Sequence, residues 1–179
     1  MQIPQYFDPT SNQTLYEALL ELRVLEGADD AAVNLAPELL DDVEIHDVIH
    51  VLFACSTDLA GEVIAHIWAV FGTTYDVREM ARVNMHQDHQ DVLASIGHAR
   101  LLSMWVSRIP EIVKTLYRAN RMVKRFPAQE YTQYLDKPLV EIREEFGIRL
   151  TAPSKAQEKK SSGAALRTLH RDKQLQQAL

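Results

Sequence analysis

Apolar residues in the first part of the chain recur at three- and four-residue steps, a spacing that places them along one side of an α-helix. This pattern predicts a first helix over residues 14–26, ended by Gly27, and a second helix over residues 38–55. Ser56-Thr57-Asp58 then supplies side chains suited to capping a third helix, which we expect to reach Phe71. The second and third helices are therefore predicted to form a helical hairpin.

The middle of the chain continues the helical pattern. A fourth helix is predicted over residues 76–94, and an apolar stretch follows over residues 101–109. That stretch suits either a hydrophobic core or a groove for an apolar ligand. Pro110 is predicted to lie in the first turn of a further helix that reaches residue 125.

The last predicted helix begins after Pro138 and ends at Gly147, with Leu139, Ile142 and Phe146 facing inward. No segment alternates steadily between apolar and polar residues, and the β-hairpin dipeptides Asn-Gly and Asp-Gly are absent from the sequence. We therefore predict an all-α fold, a single-domain multi-helix bundle.

Charge is distributed unevenly along the 179 residues, whose net charge is −6. Residues 153–179 contain six basic and two acidic residues, so residues 1–152 carry −10. This tail is predicted to be flexible, or else a basic peptide that contacts anionic membranes. Residues 1–13 have no period and are predicted to form an N-terminal arm, which leaves residues 14–152 as the helical domain. An acidic body argues against nucleic-acid binding.

The single cysteine, Cys55, excludes an internal disulfide, and no N-terminal stretch resembles a signal peptide. We therefore expect a reducing compartment. The apolar block over residues 43–71 is interrupted by ionisable side chains, so it does not have the pattern of a transmembrane helix. Any membrane association is expected to be peripheral.

The ionisable residues inside this apolar block include His46, Asp47, His50 and Glu62. His46 and His50 are four residues apart, so a helix places their imidazoles one turn apart on the same face. The predicted hairpin brings Glu62 toward them from the third helix. Burying such groups among apolar neighbours is costly unless they are paired or bind an ion, and imidazole and carboxylate are ligands that divalent metals prefer. The sequence therefore predicts a metal site.

Three metal-dependent families fit this pattern poorly. Zincin proteases carry a glutamate after the first histidine, where this chain has Asp47. Phosphohydrolases with a His-Asp pair need an upstream histidine, and none precedes His46. The acidic motif of prenyl-diphosphate synthases is not matched by Asp41-Asp42-Val43-Glu44-Ile45.

A fourth comparison is more extensive. His46-Asp47-x-x-His50, followed after eleven residues by Glu62, resembles the metal motif of the ubiquinone (coenzyme Q) biosynthesis family that is counted as the fourth protein of that pathway. Gly61 is also similar to the glycine that precedes the glutamate in that family. Further similar stretches are Tyr117-Arg118-Ala119-Asn120-Arg121, in which Asn120 replaces a glycine, then Glu130-Tyr131 and residues 138–148. The resemblance covers about residues 10–150.

This resemblance implies an all-α, homodimeric, membrane-peripheral protein that binds a divalent metal and an isoprenoid precursor of a prenyl-quinone. It implies partners among other quinone-biosynthesis proteins, and a location in the cytoplasm or on the inner face of a membrane, the matrix side in a eukaryote. The implied activity is oxidative decarboxylation at C1 of the prenylated ring. The alternatives are a non-catalytic lipid-binding scaffold for the biosynthetic enzymes and an unrelated metal-dependent hydrolase.

The resemblance implies His46, Asp47, His50 and Glu62 as metal residues, with Asp47 and Glu62 also catalytic. Zn²⁺ is the first expectation for this ligand set, with Fe²⁺, Mn²⁺ or Mg²⁺ as alternatives. Asp47 projects about 100° from His46 on an ideal helix, so it is expected as a fourth ligand or as a base for metal-bound water. His66 is expected either to orient Glu62 or to be an ordinary half-buried histidine.

Overall fold

The computed structural model describes residues 3–26, 37–76 and 98–150, and within them all regular structure is helical. The bounds are a 3-10 helix at Gln5–Phe7, α1 at Leu15–Glu26, α2 at Pro37–Leu52, α3 at Leu59–Gly72, α4 at His98–Ala119, a second 3-10 helix at Ala128–Tyr134 and α5 at Leu139–Phe146. The predicted all-α fold class is confirmed. None of these helices has the combination of length and hydropathy that crossing a bilayer requires.

The predicted helical hairpin is confirmed as α2 and α3. Helix α2 ends in a turn in which Ala54 adopts the left-handed conformation, with φ of 51°. The N–H of Cys55 donates to the carbonyl of His50 at 2.9 Å, and that of Ala54 donates to Val51 at 3.4 Å, the pattern of a Schellman cap. Asp58 then caps α3 by accepting a hydrogen bond from the N–H of Gly61 at 2.8 Å. These two caps set the short turn between the helices.

The prediction that Pro110 begins a new helix is wrong. Helix α4 runs without a break from His98 to Ala119, and Pro110 lies inside it. Proline removes one backbone hydrogen bond from a helix, the one that the carbonyl of Val106 would accept. Both residues lie on the exposed side, where water can satisfy that carbonyl, so the helix continues. The helix also ends earlier than the predicted residue 125, because residues 120–124 form turns and bends.

The last helix and its glycine are as predicted. Leu139, Ile142 and Phe146 are buried, and Gly147 ends α5 in the left-handed conformation with φ of 69°. A Cβ at Gly147 would lie 2.9 Å from the backbone nitrogen of Val123, so glycine is also required by this close approach. These side chains join one continuous core with α1, α2 and α3.

Arg143 is buried in the centre of this arrangement and binds four backbone carbonyls. Its guanidinium donates to Tyr6 at 2.6 Å, Asp8 at 2.7 Å, Val51 at 3.0 Å and Leu52 at 3.1 Å. Burial lowers the pKa of Arg143 to about 10, so it remains charged at neutral pH. The Arg143 cation thus joins the N-terminal arm to the carboxyl end of α2, where the last backbone carbonyls and the helix dipole favour a positive charge.

Several predictions concern residues outside those described. These are the body of the helix predicted over residues 76–94, and the tail of residues 153–179. The division into arm, domain and tail stays a prediction.

Candidate metal centre

The helical hairpin brings His46, His50 and Glu62 together, as the sequence predicts. The Nε2 atoms of His46 and His50 each lie 3.2 Å from a different oxygen of the Glu62 carboxylate. The two imidazole rings meet edge to face, with centroids 4.6 Å apart. One ligand atom from each of the three residues lies within 4.8 Å of the others, a separation that one metal ion can bridge. These three residues can therefore hold a metal ion.

His50 is held in the tautomer that a metal ligand needs. Its side chain is only 2% exposed, and its Nδ1 lies 3.3 Å from the carbonyl oxygen of Cys55. A carbonyl only accepts, so Nδ1 carries the hydrogen and donates, and the Nε2 lone pair of the neutral ring faces Glu62. That Nε2 atom is buried without a well-formed hydrogen bond. A buried lone pair aimed at a carboxylate calls for a cation between the two, either a proton or a metal ion.

The charges of the cluster depend on one another. Burial favours the neutral form of His50, but the contact with Glu62 and its negative charge outweigh burial and raise the pKa of His50. Burial likewise opposes ionisation of Glu62, but its contacts with His46 and His50 hold its pKa well below the usual range. Glu62 is therefore a carboxylate at neutral pH. Either a proton on Nε2 of His50 or a metal ion can compensate this charge, and a metal ion that binds here must displace such a proton.

The start of α3 fixes the position of Glu62. Gly61 packs so closely against the preceding turn that a Cβ there would lie 1.7 Å from the carbonyl oxygen of Ser56. Asp58 receives the N–H of Gly61, and the backbone carbonyl of Asp58 receives the N–H of Glu62 at 2.9 Å. A glycine before the glutamate is thus a requirement of the turn.

The cluster is closed on one side and open on the other. His50 forms its floor against the core, whereas the side chains of His46 and Glu62 are 39% and 31% exposed. An ion bound here would therefore have ligands on the protein side and access for another molecule from outside, which is the arrangement of catalytic rather than structural metal sites.

Asp47 lies outside the converging group. Its carboxylate is 3.6 Å from the Nε of Arg23 on α1, whose Nη2 also contacts Glu44 at 3.0 Å. Glu44 in turn accepts a hydrogen bond from the hydroxyl of Tyr131, and this bond is the main cause of its lowered pKa. Asp47 thus belongs to a charged network that joins α1 and the second 3-10 helix to α2. Its predicted roles as metal ligand and catalytic residue stay predictions.

His66 lies one turn beyond Glu62 on α3. Its Nδ1 is 2.6 Å from the backbone carbonyl of Glu62, and its ring centroid is 6.0 Å from that of His46. The residue is half-buried at the open side of the cluster. The contact shown here supports the backbone of Glu62.

Sequence reasoning missed three contributors to this site. The Cys55 carbonyl orients His50, Arg143 anchors the end of α2, and Tyr131 supports Glu44. No local sequence pattern predicts that a backbone carbonyl will be a hydrogen-bond partner. In contrast, Arg143 stands alone among apolar positions of α5, and this pattern indicates a buried arginine with hydrogen-bond partners. The Cys55 thiol itself is buried, and burial raises its pKa, so it is neither a nucleophile nor a ready ligand.

Fold and site together define an all-α protein with a two-histidine, one-glutamate cluster that could hold a metal ion. Comparison of the chain with protein-family models, with curated proteins and with solved structures gives no match.

Proposed function

We propose that this chain is a metal-dependent protein of ubiquinone, or related prenyl-quinone, biosynthesis. The observation that carries the proposal is the convergence of His46, His50 and Glu62 from two helices. These are three of the four residues by which the sequence resembles the metal motif of that family. The same resemblance extends to residues 138–148, which contain Arg143, the residue that binds the end of α2. Metal site and distant closing segment thus belong to one structural unit.

His46, His50 and Glu62 would hold the ion, and the donor set suits Zn²⁺ first, then Fe²⁺ or Mn²⁺. A divalent ion supplies Lewis acidity toward an oxygen of a bound substrate. The neutral tautomer of His50 and the carboxylate of Glu62 provide lone pairs for the ion, and the partial exposure of His46 and Glu62 leaves it accessible from outside. The proposed reaction is the oxidative removal of the C1 carboxylate from a prenylated ring. The carboxylate leaves as carbon dioxide, water supplies the hydroxyl that replaces it, and dioxygen as co-substrate takes up the electron pair and is reduced to hydrogen peroxide.

Metal and lipid content test this proposal directly. We expect natively purified protein to contain close to one equivalent of metal, measured by inductively coupled plasma mass spectrometry. We also expect an organic extract of the same protein to contain an isoprenoid lipid. Glu62→Gln should lose the metal because it removes the negative charge shared by both histidines. Glu141→Gln on the exposed face of α5 is the matched control and should retain the metal. Equal metal content in both variants would contradict the assignment of the metal site. The absence of isoprenoid from every sample would contradict the lipid assignment.

A complementation experiment separates an enzyme from a lipid-binding scaffold. A host that lacks its own ubiquinone decarboxylation step is supplied with the wild-type chain, Glu62→Gln or Glu141→Gln, and its quinone is measured. An enzyme requires that Glu62→Gln fail while Glu141→Gln succeeds. Quinone synthesis by a Glu62→Gln protein that has lost its metal would favour the scaffold.

A further inference from the structure

Asp47 stands between the two histidines of the metal centre in the sequence, yet its carboxylate is held on a different side of α2. On an ideal helix it projects about 100° from His46 and about 60° from His50. Its Oδ2 lies 3.6 Å from the Nε of Arg23 on α1, and its side chain is only 15% exposed. An ion pair that is largely shielded from water is stronger than one at the surface, so Arg23 can hold this carboxylate in place.

Arg23 is itself fixed by a second carboxylate. Its Nη2 lies 3.0 Å from one oxygen of Glu44, and the other oxygen of Glu44 accepts a hydrogen bond from the hydroxyl of Tyr131. Tyr131 is buried, so it anchors this chain of contacts in the core. The planar guanidinium of arginine can contact two carboxylates at once, which the single ammonium of lysine does less well. Tyr131, Glu44 and Arg23 thus determine where the Asp47 carboxylate lies.

An Asp47 carboxylate that nothing held would compete for the ion. His46, His50 and Glu62 supply three ligand atoms, and a tetrahedral ion with three protein ligands keeps one position for another molecule. A further carboxylate would close that position. Asp47 is close enough to the cluster that its charge, after burial and the contact with Glu62, affects the pKa of His50. The diversion of Asp47 toward Arg23 therefore has a consequence for the metal centre.

We propose that Arg23 is a positioning residue that keeps the Asp47 carboxylate out of the coordination of the ion and so leaves one position open for a substrate. The inference rests on the proposed function, since it requires an ion held by His46, His50 and Glu62. It gives a residue on α1, outside the metal motif, control over the number of protein ligands. If the ion pair only attached α1 to α2, loss of Arg23 would change stability and leave the coordination as it is.

Cobalt substitution of the full chain tests this role, because the visible absorption of bound Co²⁺ reports its coordination and azide probes an open position. We expect the wild type to bind Co²⁺ with a spectrum that azide changes. In Arg23→Met the released Asp47 carboxylate should become a ligand, so the spectrum should change and lose its response to azide. Changes in the groups around metal ligands alter affinity by about 10- to 100-fold, so this variant should bind Co²⁺ at least about tenfold more tightly.

Four further variants complete the experiment. Asp47→Asn alone should bind Co²⁺ and respond to azide as the wild type does. Arg23→Met with Asp47→Asn should recover the azide response, because the competing ligand is gone. Arg23→Lys keeps the charge without the forked guanidinium, so it should shift the Co²⁺ affinity in the same direction as Arg23→Met but less, and it carries the test if the methionine variant fails to fold. Arg108→Met is the matched control, since Arg108 contacts Glu111 at 2.8 Å on α4, and it should behave as the wild type does.

Three results would overturn the proposal. The first is an azide response in Arg23→Met equal to that of the wild type. The second is tighter Co²⁺ binding by Arg23→Met that Asp47→Asn does not reverse, because another group would then be responsible. The third is a wild type that does not respond to azide and an Asp47→Asn variant that does, because Asp47 would then already be a ligand. Absence of Co²⁺ from every variant would contradict the metal centre itself, whereas Co²⁺ binding with unchanged coordination in Arg23→Met would contradict only the role of Arg23.

Discussion

Replacement of Arg143 by methionine should remove a large part of the stability of the fold. The guanidinium makes four hydrogen bonds to backbone carbonyls, at 2.6 to 3.1 Å, and its residue is only 3% exposed. A hydrogen bond to a charged group contributes about 1.5–3 kcal/mol, so four of them set an upper bound of about 6–12 kcal/mol. The cost of burying the cation offsets part of this, because removing one member of a buried charged network typically costs about 3–5 kcal/mol.

We therefore expect Arg143→Met to lower the free energy of unfolding by about 4 kcal/mol, against a total of about 5–15 kcal/mol for an ordinary domain. Methionine keeps much of the side-chain volume, so the loss reports the four lost hydrogen bonds rather than a cavity. Urea unfolding followed by far-UV circular dichroism measures it. Arg149→Met, which changes an exposed arginine three residues beyond the end of α5, is the control and should cost less than about 0.5 kcal/mol.

The effect should extend to the metal centre. Val51 and Leu52, whose carbonyls Arg143 binds, directly follow His50, so metal affinity should fall as the end of α2 loosens. A loss of less than about 1 kcal/mol in Arg143→Met would refute the reasoning, since it would show that water or other donors replace the guanidinium at little cost.

Three further outcomes follow from the site. Ala54→Gly should raise the free energy of unfolding by about 1 kcal/mol, since glycine adopts the left-handed conformation without strain. The control Ala60→Gly, inside α3, should lower the free energy of unfolding, and an increase in both variants would contradict this reasoning. Asp47→Asn should retain bound metal by elemental analysis, since its carboxylate lies beside Arg23, and loss of the metal would instead support Asp47 as a ligand. With the metal removed by a chelator, the melting temperature should fall as the pH rises above about 6.5. The pKa of His50 is raised in the folded protein, so its protonated form stabilises the fold fully below the ordinary histidine pKa. This stabilisation is lost as the pH rises through the pKa of the folded protein. The lowered pKa of Glu62 has the opposite effect on the pH dependence, because its contribution to stability is lost only in acid. A melting temperature that does not change between about pH 6 and 8 would contradict the pairing of His50 with Glu62. With saturating metal the alkaline fall should disappear, because the ion replaces the proton.

Much of the site could be predicted because its determinants are local. Two histidines four residues apart share a helix face wherever a helix forms, and Asp58 followed by a glycine and an apolar run marks a helix start. Because the turn between the helices is short, Glu62 in the first turn of α3 faces His46 and His50. Pro110 is the exception, because proline is compatible with both the first turn of a helix and an exposed position inside one. These two positions can be distinguished only when it is known which side of α4 faces solvent.

By itself, the sequence determined the helical class and the hairpin, and it predicted four metal residues, of which His46, His50 and Glu62 converge. Each of these depends on residue spacing and on caps that act within a few residues. The tertiary structure alone decided the tautomer of His50, the diversion of Asp47 toward Arg23 and the binding of distant carbonyls by Arg143. The physical reason is that these contacts join groups brought together by packing, and several of the partners are backbone carbonyls, which every residue possesses and no sequence pattern distinguishes.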